Sequence, residues 1–171
     1  LGCFLTGRAC GERSNAITSM LYDPRSGGWS DRIAAAFGLP GRILPPLVDP
    51  GTVVGELTES VRARTGLGPA GVIAPCTHDT GSAVAAIPGE GADWAFISSG
   101  TWSVVGTLTE NVVTGPDAFA AGLCNELTAG GLFLCRNTMG LWLLQQARAA
   151  WRREGKEYPY AELAALAAAA G

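Results

Sequence analysis

Apolar positions along the chain fall into two patterns, and turn residues separate one segment from the next. Apolar residues at helical spacing predict helices over residues 13–22, 31–37, 59–65, 81–87, 138–153 and 160–170. Short apolar runs predict strands over residues 52–56, 72–74, 94–98, 101–108 and 132–134. Helices that alternate with short strands and are followed by a hairpin indicate an α/β fold with a partly antiparallel sheet.

A break in this pattern divides the chain near its middle. The run Pro88-Gly89-Glu90-Gly91 ends the predicted helix 81–87 and separates it from the hairpin. We therefore expect residues 1–88 to belong to one domain and residues 89–171 to a second.

Composition narrows the classes of function. Hydrophobic residues make up 47% of the chain, which is enough for a packed core. The net charge of −3 argues against an electrostatic nucleic-acid surface. The five cysteines have no CxxC spacing and there is a single histidine, so a Cys/His zinc site is not expected. We expect small buried thiols in a reduced, cytoplasmic protein.

The tripeptide His78-Asp79-Thr80 comes three residues after the end of the predicted strand 72–74. A carboxylate at the exit of a strand is held rigidly and can take a proton from a substrate hydroxyl. His78 and Thr80 can add hydrogen bonds to the same substrate. The spacing supports a helix N-cap role for Asp79 equally well, and the two roles are compatible.

The tripeptide Ser99-Gly100-Thr101 forms a predicted turn between two strands. Glycine permits close approach of a phosphate, and the backbone N–H groups with the Thr101 hydroxyl can cradle an anion. An ordinary hairpin turn explains this tripeptide taken alone. Together with Asp79, it indicates phosphoryl transfer from a nucleotide to a small polyol or sugar.

Two further groups of polar and aromatic residues lie near these motifs. Asn137 and Gln145 stand near the start of, and within, the predicted helix 138–153, about 12 Å apart along its axis. One can reach a sugar and the other a nucleotide, although a helix cap and a surface amide are the simpler explanation. Trp94 and Trp102 flank the hairpin, and we expect core packing for both ahead of the alternative, stacking on a sugar.

Three segments, taken together, resemble the FGGY carbohydrate kinases, in particular those that act on L-rhamnulose. The segments are THDTGSAV at residues 77–84, ISSGTWS at 97–103 and NTMGLWLLQ at 137–145. The resemblance implies an actin-like, ribonuclease-H-like ATPase fold. It also implies phosphorylation of L-rhamnulose at its 1-hydroxyl with ATP and Mg²⁺. A related kinase for L-fuculose or a pentulose, and a non-catalytic actin-like sugar-binding module, remain alternatives.

The resemblance also implies a role for each motif residue. Asp79 would accept the proton, and the residues in contact with the sugar would be His78, Thr80 and Asn137. Gly100 and Thr101 would contact the ATP phosphates, and Gln145 the nucleotide. The family's first phosphate hairpin and its Gly-rich adenosine segment have no counterpart here. We therefore expect an internal fragment that contains the end of one domain and the start of the next.

Overall fold

A computed structural model of the chain describes residues 1–91 and 93–170. The helices are α1 (Gly2–Thr6), α2 (Arg13–Ala16), α3 (Asp31–Ala36), α4 (Glu59–Thr65), α5 (Asp79–Ala85), α6 (Pro116–Ala120), α7 (Trp142–Arg153) and α8 (Tyr160–Ala169). The strands are β1 (Gly11–Glu12), β2 (Tyr22–Asp23), β3 (Gly28–Trp29), β4 (Leu47–Val48), β5 (Val53–Glu56), β6 (Gly71–Ile73), β7 (Phe96–Ser99), β8 (Trp102–Thr109), β9 (Cys124–Thr128) and β10 (Gly131–Met139). None of the helices in this part of the chain is long and apolar enough to cross a membrane.

The largest sheet is antiparallel and has the strand order β7-β8-β10-β9. The predicted hairpin is confirmed as β7 and β8, which pair from Phe96↔Gly106 to Ser99↔Ser103. Strand β10 extends well beyond the predicted residues 132–134, because its residues from Leu132 to Met139 pair with β8. Strand β9 was not predicted, since the polar residues within it interrupt the apolar run.

The first half of the chain contains small two-stranded ladders. Strands β1 and β4 pair in parallel, whereas β2 pairs with β3, and β5 with β6, in antiparallel fashion. Helix α3 begins where predicted, since the Ser30 hydroxyl accepts a hydrogen bond from the Ile33 N–H at 3.3 Å. Helix α4 ends at Gly66, which adopts a left-handed conformation with φ of 73°. Both helix predictions are therefore confirmed.

The predicted helix over residues 13–22 is much shorter in the structure. Helix α2 passes into a 3₁₀ turn at Ile17–Ser19, and Met20 then adopts a left-handed conformation. The Thr18 hydroxyl donates to the Asn15 carbonyl at 2.8 Å, and the Ser19 hydroxyl donates to Ala16 at 2.6 Å. Such side-chain bonds to the backbone compete with the regular helix pattern and explain its early end.

The predicted helix over residues 138–153 is also wrong at its start. Residues Thr138 and Met139 pair with Ser103 and Trp102 of β8, so helix α7 begins only at Trp142. Pairing with β8 keeps these residues in a strand, although the apolar residues of the segment recur at helical spacing. Asn137 consequently lies on strand β10, and the expectation that it shares a helix with Gln145 is wrong.

The core beneath the large sheet also includes helix α5. Val84 of this helix packs with Phe96, Phe133 and Cys135 in one buried cluster. The rings of Phe96 and Phe133 meet edge to face, with centroids 5.7 Å apart. The Thr128 hydroxyl donates to the Gly81 carbonyl at 2.8 Å. Helix α5, which carries Asp79 at its first position, is thus fixed against the sheet of the second half.

Candidate active site

Asp79 is the first residue of α5, and its side chain is 98% exposed. His78 takes the N-cap position, without a capping side-chain bond. The Asp79 carboxylate accepts a hydrogen bond only from the Thr80 N–H, at 2.8 Å, among the contacts of the described residues. The N-cap role for Asp79 is therefore wrong, and most of its hydrogen-bonding capacity is open to a ligand.

One open cavity joins the two motifs that the sequence singled out. Its volume is about 460 Å³, and both Asp79 and Gly100 line it. The residues that line it are Asp79, Thr80, Ser98, Ser99, Gly100, Trp102, Val104 and Asn137. A candidate proton acceptor and a candidate phosphate turn therefore face the same space.

A second cavity, of about 630 Å³, shares Thr80, Val104 and Asn137 with the first. It adds His78 and Glu126 to the polar lining. Its apolar lining comes from Ile17, Met20, Phe119 and Leu123. The predicted sugar-contacting residues His78, Thr80 and Asn137 thus lie together along two adjoining cavities.

The turn after β7 is fixed to the segment that leads into α7. The N–H groups of Gly140 and Trp142 both donate to the Thr101 carbonyl at 3.2 Å, and Leu141 donates to Gly100 at 2.9 Å. A Cβ atom on Gly140 would lie 2.6 Å from the Gly100 carbonyl oxygen, so only glycine permits this approach. Gly100 lines the first cavity, as expected, whereas Thr101 and Gln145 line neither cavity.

The two tryptophans beside the hairpin have different environments. Trp94 packs against the core, with its ring centroid 6.4 Å from that of Phe96, as predicted. Trp102 is 62% exposed and lines the first cavity, so its predicted core role is wrong. Its partner across the ladder, Met139, is also exposed. The position of Trp102 directly after the predicted turn was the sequence feature that could have indicated its place beside the cavity.

Glu12 supports the segment before Asp79, and no motif in the sequence marks it. The Glu12 side chain is buried and accepts bonds from the N–H and hydroxyl of Thr77 at 2.8 and 2.7 Å. It also accepts bonds from the Ser14 N–H, at 2.8 Å, and from the Ser14 hydroxyl. Ser14 in turn accepts a bond from the His78 N–H at 3.2 Å. These contacts fix the backbone that presents Asp79 to the cavity.

The ionisation of Glu12 depends on these contacts. Burial acts to raise the pKa of Glu12, but the hydrogen bonds from Ser14 and Thr77 outweigh it and hold the pKa below its ordinary value of 4.5. The ionised carboxylate therefore stabilises the fold above about pH 4.5, the pKa in the unfolded chain. That contribution is lost as the pH falls through the lowered pKa of the folded state.

We expect Glu12→Gln to lower the free energy of unfolding at neutral pH by about 1–3 kcal/mol, because an amide cannot accept all four bonds. The difference in unfolding free energy between the variant and the wild-type chain should shrink as the pH falls below 4.5. Protonation of Glu12 then removes the stabilisation that its carboxylate gives the wild-type chain. Urea unfolding of both proteins at neutral and acidic pH measures this. Glu56→Gln, at an exposed position, is the control. Equal losses in the two variants at neutral pH would contradict the role of Glu12.

Magnesium fits this site only in company with a phosphate ligand. Within residues 1–91 and 93–170, no group of three His, Cys, Asp or Glu side chains is arranged to hold a metal ion. Asp79 is the carboxylate that lines the first cavity. Proteins commonly hold Mg²⁺ through one or two carboxylates together with nucleotide phosphates. The residues therefore suit an ion that enters with a nucleotide.

Two family models match this chain, one in each half. Residues 1–86 match the model of the FGGY family of carbohydrate kinases, N-terminal domain, and residues 95–171 match that of the C-terminal domain. The chain belongs to the FGGY family of carbohydrate kinases. The two matches confirm the resemblance to this family that the sequence motifs indicated.

Curated relatives extend over nearly the whole of this FGGY chain. A rhamnulokinase of Enterococcus faecalis is 38% identical over 98% of the chain and 33% of its own length. A rhamnulokinase of Ligilactobacillus salivarius is 36% identical over 98% of the chain and 34% of its own length. The chain thus spans about a third of the length of the curated relatives it matches.

Solved structures agree on the fold. The xylulose kinase from Rhodospirillum rubrum has a TM-score of 0.72 at 23% identity, over 97% of this chain and 34% of that one. The gluconate kinase from Lactobacillus acidophilus has a TM-score of 0.67 at 16% identity, over 85% of this chain and 30% of that one. The predicted α/β fold, a part of the actin-like ATPase fold, is confirmed.

Proposed function

We propose that this FGGY chain is the central part of a kinase that transfers the γ-phosphoryl group of ATP to the 1-hydroxyl of L-rhamnulose. The observation that carries the proposal is the shared cavity, which is lined by both Asp79 and the Gly100 turn. The names of the curated relatives, rhamnulokinases at 36–38% identity, support this sugar over the other ketoses.

The chemistry follows from the position of Asp79. The Asp79 carboxylate takes the proton of the 1-hydroxyl while that oxygen forms a bond to the γ-phosphorus. The bond between the γ-phosphorus and the bridging oxygen breaks, and ADP leaves with the electron pair. Since the Asp79 side chain is almost fully exposed here, the sugar and the nucleotide must displace the water around it.

The remaining residues bind and orient the two substrates. His78, Thr80 and Asn137, which line the cavities, hold the sugar hydroxyls. The Gly100 turn and the Thr101 hydroxyl contact the phosphates, and Gln145 of α7 contacts the nucleotide. Trp102 supplies an exposed aromatic face beside the turn. Magnesium, held mainly by the ATP phosphates, would neutralise their negative charge.

Two further assignments belong to the same proposal. Residues 1–88 form the end of the sugar-binding domain, and residues 89–171 form the start of the ATP-binding domain. The limits of the two family matches, 1–86 and 95–171, support this division. We also propose that the kinase works in the cytoplasm, where ATP is available.

A ketose panel tests the function in the complete kinase that carries these residues. ADP release is followed with L-rhamnulose, L-fuculose and D-xylulose, and we expect the highest kcat/KM with L-rhamnulose. The 171 residues alone serve as the control and should give no sustained turnover, since they span about a third of the related kinases. Preference for another ketose would favour the alternative kinase. Sugar binding without ADP release would favour a non-catalytic sugar-binding module.

A further inference from the structure

A second carboxylate reaches the sugar site from the opposite half of the chain. Glu126 lies on β9, and its Oε2 atom is 3.4 Å from Nδ1 of His78. The other ring nitrogen of His78, Nε2, is 3.6 Å from Oδ1 of Asp79. The imidazole of His78 therefore stands between the two carboxylates.

The contact between His78 and Glu126 is shielded from solvent. The two side chains are 19% and 14% exposed, whereas that of Asp79 is 98% exposed. His78 Nδ1 and Glu126 Oε2 are both inaccessible to water, and neither has a hydrogen-bond partner in the described part of the chain. A buried polar atom without a partner costs free energy, so each of these atoms needs the other. Their separation of 3.4 Å already lies within reach of a hydrogen bond.

Apart from His78, the polar neighbours of Glu126 in the described part of the chain are thiols. Within residues 1–91 and 93–170, His78 is the one basic side chain within 4 Å of its carboxylate. Burial together with the charge of Glu126 raises the pKa of both Cys124 and Cys135, and the Cys135 thiol also donates a hydrogen bond to the Glu126 carboxylate. These thiols are neutral, so they do not compensate the charge of the carboxylate.

We propose that Glu126 is a positioning residue for His78, and this inference rests on the proposed sugar site. The Glu126 carboxylate accepts the Nδ1–H of the ring and thereby fixes both the ring orientation and the location of the proton. Nε2 is then directed to the space beside Asp79, where a sugar hydroxyl binds. The carboxylate acts through His78 and need not touch the sugar itself.

The single histidine of the chain gives a direct test. Ring ¹⁵N spectra of the 171-residue protein show which nitrogen carries the proton, and every histidine signal belongs to His78. At about pH 8, above the ordinary titration range of histidine, we expect Nδ1 to be protonated in the wild-type chain. We expect Glu126→Val to lose that proton in favour of Nε2–H, because valine suits a strand but offers no acceptor.

Two further variants complete this experiment. Glu126→Gln keeps an acceptor oxygen at the same place and should retain the Nδ1 proton. Glu162→Ala removes an exposed carboxylate from α8 and should leave the spectrum unchanged. An unprotonated Nδ1 in the wild-type chain, or a retained Nδ1 proton in Glu126→Val, would overturn the proposal.

Kinetics of the complete kinase provide a second readout. We expect Glu126→Val to raise the KM for the sugar about tenfold, with little change in the KM for ATP, and Glu126→Gln to restore most of the loss. An unchanged sugar KM would count against the positioning role. A wild-type kinase without sugar-dependent turnover would instead refute the proposed function, whereas the ¹⁵N result would still decide the contact between Glu126 and His78.

Discussion

Asp79→Asn in the complete kinase is expected to lower kcat by about 10²- to 10⁴-fold, the range that a general base contributes. An amide is close in size to a carboxylate but cannot accept the hydroxyl proton. The bond that Asp79 accepts from the Thr80 N–H is available to the amide oxygen, so the first turn of α5 should stay intact. A continuous assay of ADP release with saturating ATP and ketose measures the effect.

Binding measurements separate loss of chemistry from loss of the site. Calorimetry should show ATP affinity within a few-fold of wild type in the Asp79→Asn protein, since the proposed role of Asp79 is to accept a proton from the sugar and not to bind ATP. Asp31→Asn, at an exposed position in the first turn of α3, is the matched control and should keep full activity. Near-normal turnover by Asp79→Asn would exclude Asp79 as the proton acceptor.

Phe133→Ala is expected to lower the free energy of unfolding by about 3–5 kcal/mol, the usual cost of removing a buried aromatic ring. Phe133 is fully buried at 0% exposure, with its ring against Phe96 and close to Val84. Truncation leaves a void between α5 and the large sheet that neighbouring side chains can fill only in part. Urea unfolding followed by circular dichroism measures the loss.

A surface phenylalanine provides the comparison for this variant. Phe4 is 85% exposed on α1, so Phe4→Ala removes the same ring without opening a cavity. We expect its unfolding free energy to change by less than about 0.5 kcal/mol. Similar losses in the two variants would mean that Phe133 does not lie in the core cluster described above.

The elements that could be predicted are those with local signals. Helix α3 has the Ser30 cap and α4 has Gly66 at its end, so their bounds follow from neighbouring residues. The hairpin has a Gly100 turn between apolar runs. The juxtaposition of Asp79 with that turn was also predictable, although only the combination of several motifs made it so.

The misplaced and missed features depend on contacts distant in sequence. Asn137 was placed near a helix because the apolar spacing after it is helical, yet pairing with β8 decides its conformation. Glu12 accepts a hydrogen bond from Thr77, which lies 65 positions away in the sequence, and no local sequence pattern predicts such a bond. Glu126 lies in β9, a strand that was not predicted because polar residues interrupt its apolar run. The conformation and contacts of these residues therefore depend on tertiary partners, which the neighbouring sequence does not reveal.

The packing of α5 on the large sheet determines where relatives could be recombined. Val84 lies within the first family match, and Phe96 and Phe133 lie within the second, yet all three share one cluster. A crossover placed in the glycine-rich segment 88–91 would join a helix from one parent to a sheet from another. A chimera that keeps α5, β7 and β10 from the same parent preserves that packing.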